Sequence, residues 1–170
     1  MSESSRHGRR KPRSGGRERG FTLIELMTTL TVLAIMLGIA VPSFRNFIAA
    51  QKVKTAAYEL VSSMMLARSE AVKRNSPVLV TPGSAAAWAG GWAVSAGATT
   101  LQQQQAVAGV TITPKDPADP ATAMALANMS FAASGRLAAK AYFEIAGTAA
   151  TKCVKVDLSG IPSSVAGSCS

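Results

Sequence analysis

Histidine is nearly absent from this sequence, and the single one, His7, lies in the N-terminal tail. A Ser-His-Asp or Cys-His catalytic arrangement therefore cannot be built from residues 8–170. The sequence also lacks a GxSxG motif, a Walker phosphate-binding loop and a dinucleotide-binding glycine pattern. These absences argue against an enzyme, so we expect no catalytic residues and no cofactor.

Acidic residues are also few, nine against eighteen Lys and Arg. Asp116 and Asp119 lie among prolines, and two carboxylates fall short of the six or more oxygens that Ca²⁺ takes. The two cysteines have no neighbouring histidine, which makes a zinc site improbable. Glu59 and Glu70 are more typical of the solvated face of a helix than of a general-acid pair. We expect no metal site.

The positive charge is concentrated in a short tail. Residues 1–20 contain seven basic and two acidic residues, so their net charge of +5 (7 − 2) is more than half of the +9 of the whole chain. This tail is rich in Gly, Ser and Arg and cannot bury a core. A basic tail beside an apolar run usually marks a cytoplasmic flank. A nucleic-acid-binding arm is the alternative.

An apolar run from Phe21 to Val41 follows the tail directly. Its 21 residues include one charged side chain, Glu25, and no proline before Pro42. As a helix the run would be about 30 Å long, the thickness of a bilayer's hydrocarbon core. Its threonines can bond their hydroxyls to the preceding turn. The run predicts a transmembrane helix; a cleaved secretory signal, with an apolar core of only ~7–15 residues, is the alternative.

Glu25 is unusual because a carboxylate at the bilayer centre costs roughly 2.5–3.5 kcal/mol. It lies one helical turn from the start of the run, so its side chain could reach the headgroups. The other explanation is a cation that meets it. If the chain were cut after Gly20, the free amine of Phe21 on a neighbouring subunit could pair with Glu25.

The stretch Gly20-Phe21-Thr22-Leu23-Ile24-Glu25-Leu26 after a basic leader resembles the type IV prepilin signature. The resemblance implies that a prepilin peptidase removes residues 1–20 on the cytoplasmic side and that Phe21 becomes the methylated N-terminus. It also implies that Glu25 acts in filament assembly. Residues 21–41 would first anchor the chain in the bacterial inner membrane and later pack in a filament.

A second helical pattern occupies residues 42–76. Apolar or small residues recur in steps of three and four, at Val53, Ala57, Leu60, Met64, Ala67 and Ala71. They predict an amphipathic helix that continues the membrane helix, with a kink at Pro42. Glu70 is spaced to pair with Arg74, and Asn75 and Pro77 indicate the end. The residues expected on the outer face are Lys52, Thr55, Glu59, Ser63, Glu70 and Lys73.

Residues 77–170 change to short apolar or alternating runs separated by Gly and Pro, which predict strands. The predicted strands are Val78–Val80, Trp92–Val94, Val110–Thr113, Met129–Phe131, Tyr142–Ile145 and Cys153–Asp157. In the last of them, Cys153, Lys155 and Asp157 should face away from Val154, Val156 and Leu158. The run Gln102–Gln105 and the alanine-rich stretches 83–90 and 118–128 indicate loops. We predict an α+β, pilin-like fold, with a long N-terminal helix packed on an antiparallel sheet.

Cys153 and Cys169 both follow the apolar run. If the basic end of that run is cytoplasmic, both cysteines face an oxidising compartment. A disulfide between them would close a loop of 15 intervening residues, worth roughly 3 kcal/mol. This disulfide is favoured over the alternative of two free, buried thiols.

Three later patterns resemble the GspH/FimT branch of minor pilins and pseudopilins. They are the helix end from Leu66 to Asn75, the run Trp88…Gly91-Trp92-Ala93-Val94, and Phe131…Ser134-Gly135-Arg136. The resemblance implies a subunit of a type II secretion pseudopilus or a type IV pilus that takes part in protein secretion or filament assembly. Its head would be periplasmic, and its partners would be other pilins and the inner-membrane assembly platform.

DNA binding is a second function to consider, because some FimT-type pilins bind DNA through an arginine-bearing segment near the C-terminus. Here the segment from Leu158 to Ser168 contains no basic residue. Arg136, Lys140, Lys152 and Lys155 could form a modest patch with weak, salt-sensitive binding. DNA uptake is therefore not favoured, and an unrelated membrane-anchored binding domain is a further alternative.

Overall fold

The computed structural model describes residues 20–84 and 87–170. The predicted leader up to residue 19, with His7, and Ala85 and Ala86 of one alanine-rich stretch lie outside the described residues. The chain divides into two units, one ending at Ile39 and the other comprising Ala40–Ser170. Each unit is described by itself.

One helix, α1 (Leu23–Arg74), accounts for all helical structure in the described residues. In its first half, an 18-residue window with mean hydropathy 2.1 is long and apolar enough to cross a membrane. All residues of this window are exposed in the isolated chain. As the sequence predicts, threonine hydroxyls donate to carbonyl oxygens one turn earlier, over 2.8–2.9 Å, at Thr28, Thr29 and Thr31.

The helix ends where the sequence predicts. Arg74 is its last residue, and Asn75 follows with a φ of 49°, in the left-handed region that asparagine tolerates. The amide of Ser76 donates to the carbonyl of Ala71 over 3.2 Å, which satisfies one of the free carbonyls at the helix end.

The second half of α1 buries the predicted stripe. All six of its apolar or small residues lie in the core, together with Ala56. The prediction for Ser63 is wrong, because this residue is fully buried. Its hydroxyl donates to the carbonyl of Glu59 over 2.8 Å, so the helix backbone satisfies the polar group and the small side chain fits the core face.

In residues 20–84 and 87–170, eight strands form two antiparallel four-stranded sheets. The first sheet has the order β3-β2-β1-β5 and the second the order β4-β6-β7-β8. The strands are β1 (Val78–Ser84), β2 (Ala87–Ala96), β3 (Thr99–Gln105), β4 (Val110–Lys115), β5 (Met129–Phe131), β6 (Ala141–Gly147), β7 (Thr151–Val156) and β8 (Pro162–Ala166). The predicted α+β, pilin-like fold is confirmed, and each of the six predicted strands is present.

Two strands differ from the sequence predictions. The run Gln102–Gln105, expected as a loop, lies in β3, and β8 was not expected at all. Part of the alanine-rich stretch 83–90 also belongs to β1 and β2. Both β3 and β8 are edge strands with few buried side chains, and they lack the alternation of buried apolar residues that identifies β4 and β5, the other two edge strands.

Aromatic side chains fill the core between the helix and the sheets. The largest fully buried ones are Trp88, Trp92, Phe131 and Phe143. The Trp88 ring meets Phe143 edge-on with 4.8 Å between centroids, and its indole N–H donates to the carbonyl of Leu126 over 2.8 Å. The tryptophans of the family pattern are thus packing residues.

Burial in β7 departs from the predicted alternation at one position. Val154 and Val156 are buried and Lys155 is half-buried, as expected, but Cys153 is fully buried too. It is covered by Cys169, to which it is bonded. Leu158 lies beyond the strand and is 39% exposed, so the expectation that it faces the core is also wrong.

Candidate assembly segment and head surface

The predicted processing site lies immediately before α1. Gly20, Phe21 and Thr22 have no regular secondary structure, and Phe21 is 81% exposed. The Thr22 hydroxyl oxygen accepts a hydrogen bond from the amide of Glu25 over 3.3 Å, which caps the start of the helix. The peptide bond between Gly20 and Phe21 therefore lies outside the helix.

Glu25 projects from the first turn of α1 and is exposed. Among the residues that the structure describes, no ion pair includes its carboxylate. Large apolar side chains on this first part of the helix are exposed as well. Pro42 lies inside α1, where it cannot donate the usual backbone hydrogen bond. The kink at Pro42 stays a prediction.

The predicted disulfide is present and fixes the C-terminal tail. Cys153 in β7 is bonded to Cys169, which follows β8, with 5.0 Å between their Cα atoms. The Glu144 carboxylate accepts a hydrogen bond from the amide of Cys169 over 3.4 Å, and it also pairs with Lys115 at 3.5 Å. The ammonium of Lys155 donates to the carbonyl oxygen of Ser170 over 2.6 Å.

Two family patterns that are far apart in sequence meet at one turn. The Arg68 guanidinium, in the helix-end pattern, donates through Nε to the carbonyl of Gly135 over 3.3 Å. Gly135 has a φ of +73° and packs so closely on Arg68 and Val72 that a Cβ would lie 3.0–3.1 Å from their side chains. The sequence does not reveal this contact, although it contains both patterns.

The ion pair predicted near the end of the helix is present. The Glu70 carboxylate accepts a hydrogen bond from Arg74 Nε over 2.6 Å and lies 3.5 Å from the Lys73 ammonium. The hydrogen bond from Arg74, together with the nearby charges of Lys73 and Arg74, lowers the pKa of Glu70.

The four residues of the suggested DNA patch are distributed over the head. Arg136 is exposed in the turn after β5, and Lys140 lies 4.0 Å from the carboxylate of Asp157. Lys152 is paired across the sheet with buried Ile145, whereas Lys155 is paired with Tyr142. Lys152 and Lys155, three residues apart, therefore project from opposite faces of the sheet. DNA contact by these residues stays a prediction.

Metal ligands are not clustered in the described part of the chain. Residues 20–84 and 87–170 contain no group of three or more His, Cys, Asp or Glu side chains arranged to hold an ion.

Two family models match the chain. The model of the family described as Type II transport protein GspH matches residues 56–160, which is more than half of the chain. The model described as Prokaryotic N-terminal methylation motif matches residues 15–41, which include Gly20, Phe21 and Glu25. No curated protein shows significant similarity to the chain.

Two solved structures resemble the chain in fold. Both are crystal structures of the type IV minor pilin FimU of Pseudomonas aeruginosa, strain PAO1, in space groups P21 and P65. Each is 21% identical and covers 66% of this chain. The match covers 87% of the first FimU chain with a TM-score of 0.56, and 91% of the second with a TM-score of 0.55.

Proposed function

Because the chain belongs to the GspH family of type II transport proteins, we propose that it is a minor pilin or pseudopilin. It would be a structural subunit of a type II secretion pseudopilus or a type IV pilus. One observation carries this proposal: the match to the N-terminal methylation motif, residues 15–41, includes the exposed apolar first part of α1, which is of membrane length. An exposed apolar helix of this length must be covered by an apolar environment. A filament subunit has such an environment first in the lipid bilayer and later among the helices of other subunits.

Maturation would begin at the Gly20–Phe21 bond. Prepilin peptidase would cut there on the cytoplasmic side and methylate Phe21. The basic tail favours a cytoplasmic N-terminus, with residues 42–170, which include the head, in the periplasm. This orientation agrees with the disulfide between Cys153 and Cys169, because disulfides persist in the oxidising periplasm.

Assembly would rest on the first turn of α1. The exposed carboxylate of Glu25 has no cationic partner in the described chain, and an unpaired charge in lipid is costly. The amine of Phe21 on a neighbouring pilin would satisfy it and set the axial register of the two helices. The other partners would be the inner-membrane assembly platform and the pilins that contact the head.

A deletion in the native bacterium tests the proposed function. Export of secreted enzymes, surface piliation and DNA uptake would be scored together, with the intact gene restored as control. Lost export with normal pili would place the subunit in a secretion pseudopilus, and lost piliation would place it in a pilus. Loss of DNA uptake alone would favour a DNA receptor, and no change in any of the three would contradict the proposal.

Glu25→Ala separates assembly from membrane insertion. We expect the variant to insert and to be cleaved normally, because a more apolar helix crosses the membrane at least as well. Its incorporation into filaments should fall at least about tenfold, as loss of one buried charge pair of ~1.4 kcal/mol or more requires. Immunoblots of sheared filaments and of membranes measure both. Thr29→Ala, in the same exposed helix, is the control; incorporation of Glu25→Ala at the wild-type level would contradict the proposed role.

A further inference from the structure

One end of the head contacts α1 at two places where the helix becomes buried. The Lys52 ammonium donates to the carbonyl of Ala108, in the loop between β3 and β4, over 3.3 Å. On another side, Gly147 at the end of β6 packs on Val53, and a Cβ there would lie 2.7 Å from a Val53 methyl group. This end of the head is therefore built from the loop after β3, the turn after β6 and the first buried turn of the helix.

Three basic residues lie at this end, Lys52, Lys54 and Lys152, and Arg45 precedes them by about two turns of α1; we call these four residues the basic collar. In residues 20–84 and 87–170, none of the ion pairs includes a member of the collar. Lys52 and Lys54 are two positions apart on the helix and therefore project from nearly opposite sides of it. The collar thus presents positive charge on both sides of the helix.

Acidic residues are placed elsewhere in the head. Glu70 lies in the last turns of α1, Asp116 follows β4, and Asp157 follows β7, so each is at the opposite end of its element from the collar. The acidic residue nearest to the collar along the helix is Glu59. Its carboxylate already accepts a hydrogen bond from the Gln104 side chain over 3.0 Å. Glu144, in β6, is paired across the sheet with Cys153, so it projects from the face opposite to Lys152, and its carboxylate pairs with Lys115. The positive charges of the collar therefore have no ion-pair partner in the described residues.

An exposed tyrosine lies within the collar. Tyr58 is 55% exposed, and the ammonium groups of Lys54 and Lys152 lie 6.0 and 5.8 Å from its ring centroid. These distances are at the outer limit of cation–π contacts. Tyrosine is enriched where proteins meet the polar surface of a bilayer, and lysine also acts as an anchor there.

The position of the collar along the chain relates it to the membrane surface. Lys52 comes eleven residues after Val41, the end of the apolar run, which is about 16 Å of helix. The exposed apolar residues Phe44, Phe47 and Ile48 lie in that interval. The headgroup layer takes up roughly 5–8 Å of this length. The Lys52 backbone would therefore lie ~8–10 Å from the phosphates, which is about one Debye length. An extended lysine side chain shortens this distance further.

We propose that the basic collar binds the headgroups of anionic phospholipids on the membrane surface from which the head projects. The proposal rests on membrane anchoring by the apolar helix. Each lysine or arginine near an anionic surface contributes about 1 kcal/mol, so several together hold the head against the bilayer. DNA also carries phosphates, but a lipid surface is favoured because the collar lies at the end of the head from which the apolar segment leaves. Extraction of the subunit into a filament would have to break these contacts.

Lysine reactivity in nanodiscs tests the proposal with the full chain. Acetylation rates of individual lysines would be measured by mass spectrometry in discs of neutral phosphatidylcholine and in discs with one third phosphatidylglycerol. We expect Lys52, Lys54 and Lys152 to react about threefold more slowly in the anionic discs, since bound phosphate protects them. High salt should abolish the difference. Lys73 and Lys140, at the other end of the head, should react equally in both.

The nanodisc experiment distinguishes failure of membrane anchoring from failure of lipid binding by the collar. Failure of the chain to enter discs of either composition would contradict the anchoring itself. Normal entry with equal reactivity of the collar lysines in both discs would overturn lipid binding. Protection in neutral discs by added duplex DNA, without protection by anionic lipid, would also overturn it and would assign the collar to nucleic acid.

A charge-matched pair of variants gives a second readout. The triple variant Lys52→Gln, Lys54→Gln and Lys152→Gln should retain about threefold less phosphatidylglycerol when released from discs into native mass spectrometry. The control triple variant Lys73→Gln, Arg136→Gln and Lys140→Gln removes the same charge from the opposite end of the head. The control variant should retain as much lipid as the wild type. Equal losses of lipid in both variants would show that retention depends only on net charge, and this would contradict lipid binding at the collar.

Discussion

Gly160 is required by the shape of the turn between β7 and β8. Its φ is +75°, and a Cβ would overlap the carbonyl oxygen of Gly135 and lie 3.3 Å from Arg68 Cδ. Gly160→Ala should therefore lower the free energy of unfolding by about 2–4 kcal/mol, from backbone strain plus displacement of the neighbouring turn. Gly97→Ala is the matched control because Gly97 also has a positive φ, of +58°, but has no atom within 4 Å of the new Cβ.

Urea unfolding of both glycine variants measures the difference. The free energy of unfolding of Gly97→Ala should fall only by the cost of placing a side chain on left-handed backbone, about 1–2 kcal/mol. Equal losses at the two positions would show that the contact between Gly160 and Gly135 does not constrain the head.

Glu70 gives a pH-dependent contribution to stability. Its pKa is lowered in the folded state, chiefly by the hydrogen bond from Arg74, from a usual value of 4.5. The stabilisation is therefore fully present above pH 4.5 and is lost as the pH falls through the lower, folded pKa. We expect the difference in Tm between the wild type and Glu70→Gln to be constant from pH 6 to 8 and to shrink steadily below 4.5. Arg74→Gln, which removes the partner, should give the same profile; a constant difference down to pH 2 would contradict the assignment.

Local side-chain contacts were predictable from the sequence, and distant ones were not. The pair of Glu70 and Arg74 follows from helical spacing alone. The hydrogen bond from Arg68 to the Gly135 carbonyl joins residues 67 positions apart, and only the tertiary fold determines such a contact. The burial of Ser63 was missed for a related reason, since its hydroxyl is satisfied by its own helix and its size suits the core.

At the scale of elements, β3 is joined to α1 by a side-chain hydrogen bond. The Gln104 amide donates to the Glu59 carboxylate over 3.0 Å, and both side chains are partly buried. Gln104→Ala should cost about 1–2 kcal/mol of unfolding free energy, because the partner is charged and is left unsatisfied. Gln103→Ala is the control, since Gln103 is its exposed neighbour on the same edge strand. Thermal unfolding of the two variants should differ clearly, and equal Tm values would contradict a structural role for Gln104.

Strands with an alternation of buried apolar residues were predicted, including the edge strands β4 and β5, and the two strands without it were not. The stripe from Val53 to Ala71 identified the packed half of α1, and each apolar or alternating run identified a strand. The edge strands β3 and β8 consist largely of Gln, Ser and Thr, and only their position beside β2 and β7 determines their conformation. Hydrogen bonds to a neighbouring strand leave no signature in side-chain polarity.

At the scale of the whole molecule, the core and the apolar segment are separate parts of the chain. The first core residue is Val53, and large apolar side chains from Phe21 to Ile48 are exposed. A chain that begins at Ala49 and keeps the disulfide should therefore fold in water as a monomer without detergent, because it loses no core contact. The chain that begins at Phe21 should require detergent or lipid, since its exposed apolar segment is about the length of a bilayer. Light scattering and near-UV circular dichroism measure the two forms, and aggregation or loss of tertiary signal in the shorter chain would show that the segment before Ala49 contributes to folding of the head.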